Sequence, residues 1–202
     1  MANLAEGHLK IVWKKFLGGD KEAFAEIYNA YVDDLFRYGT KISADVELVK
    51  DAIQEIFLDL FLSRENHREQ PASLQFYLIL ALKRNLIRKL KKNRKNEHRN
   101  ILESDFFEAQ YSFEEELIRE ESDHEVQKKV SEAIGQLPPK QKEAIYLRYN
   151  QELEYDQIAT LLDISIESVR KQVYRAIKSI RDCLEQQNLI LLSFFKLKQV
   201  EI

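Results

Sequence analysis

The sequence predicts an all-α protein made of two small helical domains joined by an acidic linker. Three observations predict it. Glycine and proline number only five and three in 202 residues, which leaves little turn material for a β-sandwich. Apolar residues recur at helical spacing on both sides of a central gap. Charge is segregated along the chain: residues 83–99 (KRNLIRKLKKNRKNEHR) hold nine basic groups against one acidic, and residues 100–125 hold one against ten. Apolar residues at 45% suffice for packed cores, while charged residues at 32% exceed the globular norm of about 25%.

The first domain is read as residues 10–95. In it, GGD at 18–20 is a break followed by a cap, with Asp20 as N-cap and Ala23, Phe24, Ile27, Tyr28 and Tyr31 as the first inward stripe. A second helix runs from about Asp45 to Ser63. Its core stripe is Val49, Ala52, Ile53, Ile56, Phe57 and Leu60. Opposite lie Glu47, Asp51, Gln54 and Glu55, with Leu58 and Leu62 among them. Two readings of those leucines stay open. They form a docking face for a protein with a basic rim, or they pack against a neighbouring N-terminal helix.

The polar stretch RENHREQPAS, 64–73, is a loop, and a third helix starts near Leu74 and carries the basic block. Leu82, Leu86 and Leu90 point inward, while Arg84, Arg88, Lys91 and Lys95 line an outward face. Phe76 and Tyr77 are either core or rings that stack on exposed bases. Residues 96–124 are acidic and without strong periodicity, so they read as a linker.

The second domain is read as residues 125–186. LPP at 137–139 marks a helix boundary, the second proline sitting in the first turn. YDQIATLLDIS supplies a short helix with Ile158, Ala159 and Leu162 inward, and Ser165 caps the next. On that helix Val169, Val173, Ala176, Ile177 and Ile180 share one side. Arg170, Lys171, Tyr174, Arg175, Lys178 and Arg181 share the other. Short helix, small residue, turn, cap and one-sided basic face together read as a helix–turn–helix with a DNA-facing second helix. The alternative is an amphipathic helix with a solvated basic face.

Net charge −3 and an isoelectric point near 5.9 average over opposed blocks. A phosphate backbone responds to the local field, which screening over ~10 Å separates from distant acids. The acidic average therefore does not exclude nucleic-acid binding. Cys183 stands alone, so no internal disulfide forms. Histidines 8, 67, 98 and 124 share no metal-ligand spacing. No nucleophile elbow, glycine-rich phosphate loop or zinc box is present. The apolar runs at 76–82 and 189–195 fall short of the ~20 residues of a membrane helix, and the first residues carry no basic-then-apolar leader. The expectation is a cytoplasmic, non-catalytic protein with no cofactor, metal or small-molecule substrate.

DAIQEIF at 51–57, RNLIRKL at 84–90, LPPKQKEAIYLRY at 137–149 and the DQIA…SVRKQVYRAIKSIR module occur in the order found in one family. The chain resembles the extracytoplasmic-function sigma factors of bacterial RNA polymerase. The resemblance implies that 10–95 is sigma region 2, that 125–186 is region 4, and that no region 3 domain lies between. It implies that Asp51, Gln54, Glu55 and Leu58 dock on the clamp helices of core RNA polymerase. Arg84, Asn85, Arg88 and Lys91, with the 64–73 loop, would hold the −10 element, Asn85 capturing an unstacked base. Arg170, Lys171, Tyr174 and Arg175 match positions that read the −35 element in promoter DNA, with Lys178 a phosphate contact beside them. The linker would thread toward the RNA path, and an anti-sigma regulator is an implied partner.

Two departures from the family stand out. Leu78, Leu80 and Ala81 occupy places where the family often has aromatic or basic residues, and Glu167 replaces a small residue at the start of the recognition helix. The tail 187–202 reads as one extra helix over the region 4 core, or as a contact for an inhibitor or membrane-linked regulator. From the residues alone two rivals stay open. One is a free-standing helix–turn–helix regulator with an N-terminal dimerisation domain, the other an interaction protein without DNA contact.

Overall fold

Asp20 does what its position predicts. In the computed structural model, which describes residues 6–66, 71–94, 107 and 129–186, its carboxylate accepts from the backbone N–H of Glu22 at 2.8 Å and of Ala23 at 3.2 Å. Two of the four orphan donors at the helix start are thereby satisfied. Gly19, at φ +84°, makes the turn before it in a conformation few other residues adopt. Helix α1 (Glu6–Leu17) precedes this turn and α2 (Lys21–Ile42) follows it. After them come α3 (Val46–Leu62) and α4 (Leu74–Arg94). The chain divides into two units, Met1–Glu108 and Ala109–Ile202, and these four helices belong to the first.

Helix α1 buries Leu9, Val12, Trp13 and Phe16, an i, i+3, i+4, i+7 stripe. The ring of Phe16 meets those of Trp13, Phe24 and Phe61 at centroid distances of 5.1, 5.9 and 6.4 Å. All six residues of the anticipated α3 stripe are buried. Asp45 caps α3 through a 3.0 Å bond from Leu48 N–H, and Ser73 Oγ accepts from Phe76 N–H at the start of α4. In α4, Leu82 and Leu86 are fully buried, whereas Leu90, expected inward with them, is only half-buried near the helix end. Phe76 and Tyr77 are half-buried. The 64–73 stretch departs from a plain loop, since Arg64–Asn66 forms a 3₁₀ turn. Arg64 pins that turn by stacking over the Phe61 ring at 4.7 Å and donating to the Phe61 carbonyl at 2.9 Å. Phe107, inside the acidic segment, is buried with its ring 6.2 Å from that of Tyr38. The rest of 96–124, and the tail 187–202, lie outside the described residues, as does Lys95.

The second unit contains a helical segment at 129–135, α5 (Pro139–Ile145), a π turn (Tyr146–Asn150), α6 (Tyr155–Leu162) and α7 (Ile166–Gln186). Pro139 occupies the first turn of α5, where its missing N–H has no helical partner to lose. The π turn was not legible from periodicity. It is held by Gln151 N–H donating to the Tyr146 carbonyl at 3.1 Å, while the buried Gln151 amide donates to the Tyr146 hydroxyl at 3.1 Å. Val169, Val173, Ala176 and Ile180 of α7 are buried and Ile177 is half-buried. In α6 the inward residues are Ile158, Ala159 and Leu161. This corrects the assignment of Leu162, which is half-buried. Both leucines flank Ile158 on the helical wheel, and the packing of α5 and α7, not periodicity, chooses between them. Among the described residues there is no strand, so the all-α class holds.

Gly39 sits where α2 meets α3 and α4. A Cβ there would lie 2.6 Å from Val49 Cγ1 and 3.5–3.6 Å from Leu82 and Leu86. Val49 is β-branched and has little rotamer freedom to yield. Gly39→Ala is therefore expected to destabilise by about 1–2 kcal/mol, overpacking outweighing the gain in helix propensity. Thermal melts check this, and adding Val49→Ala should relieve the clash, so that the double variant loses less than the two single losses combined.

Candidate nucleic-acid interface

The second unit builds its interface from a tight turn. Asp163 ends α6 in the left-handed conformation (φ 51°, ψ 50°), and Ile164 N–H donates to the Ala159 carbonyl at 3.1 Å. Ser165 Oγ then accepts from Ser168 N–H at 3.2 Å and starts α7. Cap and turn fix the angle at which α7 leaves. Its buried stripe holds one side, so Arg170, Lys171, Tyr174, Arg175, Lys178 and Arg181 are all exposed on the other, Tyr174 at 69%. Glu167 is exposed in the first turn, where the helix dipole favours a carboxylate. The Tyr155 ring organises two cations, with Arg148 at 4.8 Å and Arg170 at 5.6 Å from its centroid. Arg148 is further held by the Leu153 carbonyl at 2.9 Å and Glu154 at 3.2 Å.

The first unit carries two charged faces. On α3, Glu47, Asp51 and Gln54 are exposed, and Leu58 and Leu62 are 56% and 66% exposed among them. Of the two readings of these leucines, packing against the N-terminal helix is thereby excluded within the described residues. On α4, Arg84, Arg88 and Lys91 are exposed. Leu78 is fully buried, and Leu80 and Ala81 are half-buried, so the first of these departures is part of the core.

Asn85 and Glu55 are brought together. Asn85, only 7% exposed, turns its amide toward α3, where Nδ2 donates to Glu55 Oε2 at 2.9 Å. Lys89 Nζ donates to Glu55 Oε1 at 2.6 Å. The acidic strip of α3 and the basic helix α4 therefore share one residue. The Lys89 ammonium, and next the Asn85 amide, hold the Glu55 carboxyl below the ordinary glutamate range. A lowered carboxylate contributes stability that is present above the ordinary glutamate pKa and is lost as pH falls through the lowered value. The half-exposed carboxylate keeps the effect modest. Melting temperatures of parent and Glu55→Gln are thus expected to differ by a constant amount near neutrality and to converge on acidification.

Among the described residues no group of His, Cys, Asp or Glu could hold a metal ion, and no helix is long and apolar enough to cross a membrane. A model of sigma-70 region 2 matches residues 27–96, and a model of sigma-70 region 4 matches residues 127–180. The chain belongs to the extracytoplasmic-function sigma factors of bacterial RNA polymerase. Sigma-H factor of Pseudomonas aeruginosa is 25% identical over 175 residues, which is 83% of this chain and 89% of that one. The extracytoplasmic-function sigma factor SigM of Bacillus subtilis is 23% identical over 153 residues, 75% and 88% of the two chains. Two solved structures share the fold. CnrH in complex with the cytosolic domain of CnrY gives a TM-score of 0.53 at 15% identity, covering 88% of this chain and 97% of CnrH. RpoE in complex with the anti-sigma factor NepR from Bartonella quintana gives 0.52 at 19%, covering 80% and 96%.

In this sigma factor, regions 2 and 4 each hold a residue that sequence reasoning missed. Lys89 had a local signal, because it stands four residues after Asn85 and so on the same helical face. Tyr155 had none, since Arg148 and Arg170 lie on either side of it at sequence distances that only folding closes.

Proposed function

We propose that this sigma factor divides promoter recognition among three faces. The acidic α3 strip, with Asp51, Gln54, Glu55 and Leu58, docks on core RNA polymerase. The α4 face, with Arg84, Asn85, Arg88 and Lys91, engages the −10 element. The α7 face, with Arg170, Lys171, Tyr174, Arg175 and Lys178, reads the −35 element. Residues 96–124 serve as the tether between 10–95 and 125–186. The protein has no catalytic activity of its own, works in the cytoplasm, and is held in check by an anti-sigma partner, as CnrH and RpoE were solved with bound partners.

The observation that carries this reading is the pairing of exposed leucines in an acidic strip with a separate one-sided basic helix. A free-standing regulator needs only the second. Run-off transcription with purified core polymerase on fragmented genomic DNA tests it directly, the expected outcome being discrete start sites that require the factor. Asp51→Lys combined with Leu58→Glu should abolish co-elution with core polymerase and leave the melting temperature almost unmoved, since surface changes stay within about 0.5 kcal/mol. Undiminished co-elution would remove α3 as the docking face.

On α7, a bidentate arginine–base contact discriminates by about 1–3 kcal/mol. Arg175→Ala is expected to relax preference at one or two upstream base pairs. Lys178→Ala should weaken binding evenly across sequences and reduce the salt dependence by about one counterion. Both effects are read from holoenzyme binding to promoter variants across a salt series.

A further inference from the structure

Two arginines share the ring of Tyr155, and they are not equivalent. Arg148, 4.8 Å from the ring centroid, is tied down, because its guanidinium donates to the Leu153 carbonyl at 2.9 Å and pairs with Glu154 at 3.2 Å. Arg170, at 5.6 Å, is exposed and forms no ion pair among the described residues. The ring itself stands on a fixed base. Tyr155 is the half-buried first residue of α6, and Glu154 N–H donates to Gln157 Oε1 at 3.0 Å across that first turn. A ring face attracts the charge of a guanidinium but offers no acceptor oxygen, so the N–H fork of Arg170 remains available to another group. Arg170 is also the fifth residue of α7, in the part of a recognition helix that meets base edges.

We infer that Tyr155 is a positioning residue for −35 recognition, its ring holding the Arg170 guanidinium in place for one base pair while leaving the donors of that side chain free. The inference rests on the assignment of Arg170 to the −35 element. A bidentate contact to guanine needs two N–H donors aimed together at one base edge. An exposed arginine without a hold adopts many rotamers and loses that freedom when it makes the contact. It can also turn to a neighbouring base or phosphate when the right base is missing, which softens the penalty for a wrong sequence. Anchoring on Tyr155 reduces both effects. A residue outside the recognition helix thus sets how sharply that helix discriminates.

The test measures holoenzyme binding to promoter DNAs that carry each base pair at each −35 position. Binding is compared as ratios between DNAs for one holoenzyme, so any change in polymerase affinity cancels. Arg170→Ala first identifies the base pair that Arg170 reads. Tyr155→Leu is expected to cut discrimination there about two- to fivefold, the worth of an exposed cation–π contact, and to leave the other positions as in the parent. Tyr155→Phe keeps a ring and should keep the ratio. Progressively fluorinated phenylalanines at 155 preserve the shape of the side chain while weakening the negative ring face, so the ratio should fall stepwise along that series. In the Arg170→Ala background, Tyr155→Leu should have no further effect at the same base pair. If the fluorinated series leaves the ratio whole, or if Tyr155→Leu lowers discrimination evenly across the element, the positioning role is overturned while the role of Arg170 stands. If Arg170→Ala changes no base preference at any −35 position, assignment and inference fall together.

Discussion

Helix α3 must satisfy two partners with one periodicity. At 3.6 residues per turn, burying Val49, Ala52, Ile53, Ile56, Phe57 and Leu60 leaves no choice about what the opposite side shows. Asp51, Gln54, Leu58 and Leu62 are exposed because the core stripe is complete without them. The exposed strip is therefore a by-product of packing, and its rigidity is that of the core. Gly39 extends the same constraint to α2, because only a residue without a Cβ lets α2 approach Val49, Leu82 and Leu86 so closely. Packing of α3 directly on α4 brings Glu55 within hydrogen-bond distance of Asn85 and Lys89.

Region 4 solves its own problem by a different device. Its long helix α7 is buried along one side and exposed along the other, and the turn that precedes it sets where it starts. Asp163 in the left-handed conformation and Ser165 as cap set that start with local hydrogen bonds. Tyr155 then restricts where the Arg170 guanidinium can go, by offering it a ring face already shared with Arg148. An arginine held in this way loses less side-chain freedom on meeting DNA than one that is free in solvent.

Charge segregation lets an acidic protein carry two basic faces. A phosphate backbone responds to the field of the charges within a Debye length of ~8–10 Å more than to the average over the chain. The pairing of Lys89 with Glu55 shows that not every member of the basic block contributes to that field. A run of nine basic residues reads uniformly in sequence, yet Arg84, Arg88 and Lys91 are exposed while Lys89 is drawn onto a carboxylate of another helix.

The sequence by itself determined the helical class, the caps at Asp20 and Ser165, the six-residue stripe of α3 and the one-sided cations of α7. All of these follow from spacing within one helix or from a side chain bonding its own backbone, which are local relations. Tertiary structure decided the rest. It chose Leu161 over Leu162, left Leu58 and Leu62 exposed and ringed Tyr155 with two arginines. It also joined Asn85 to Glu55 across thirty residues. Each of these depends on which neighbour covers a given side of a helix. Periodicity sorts residues into faces, but only packing assigns each face a partner.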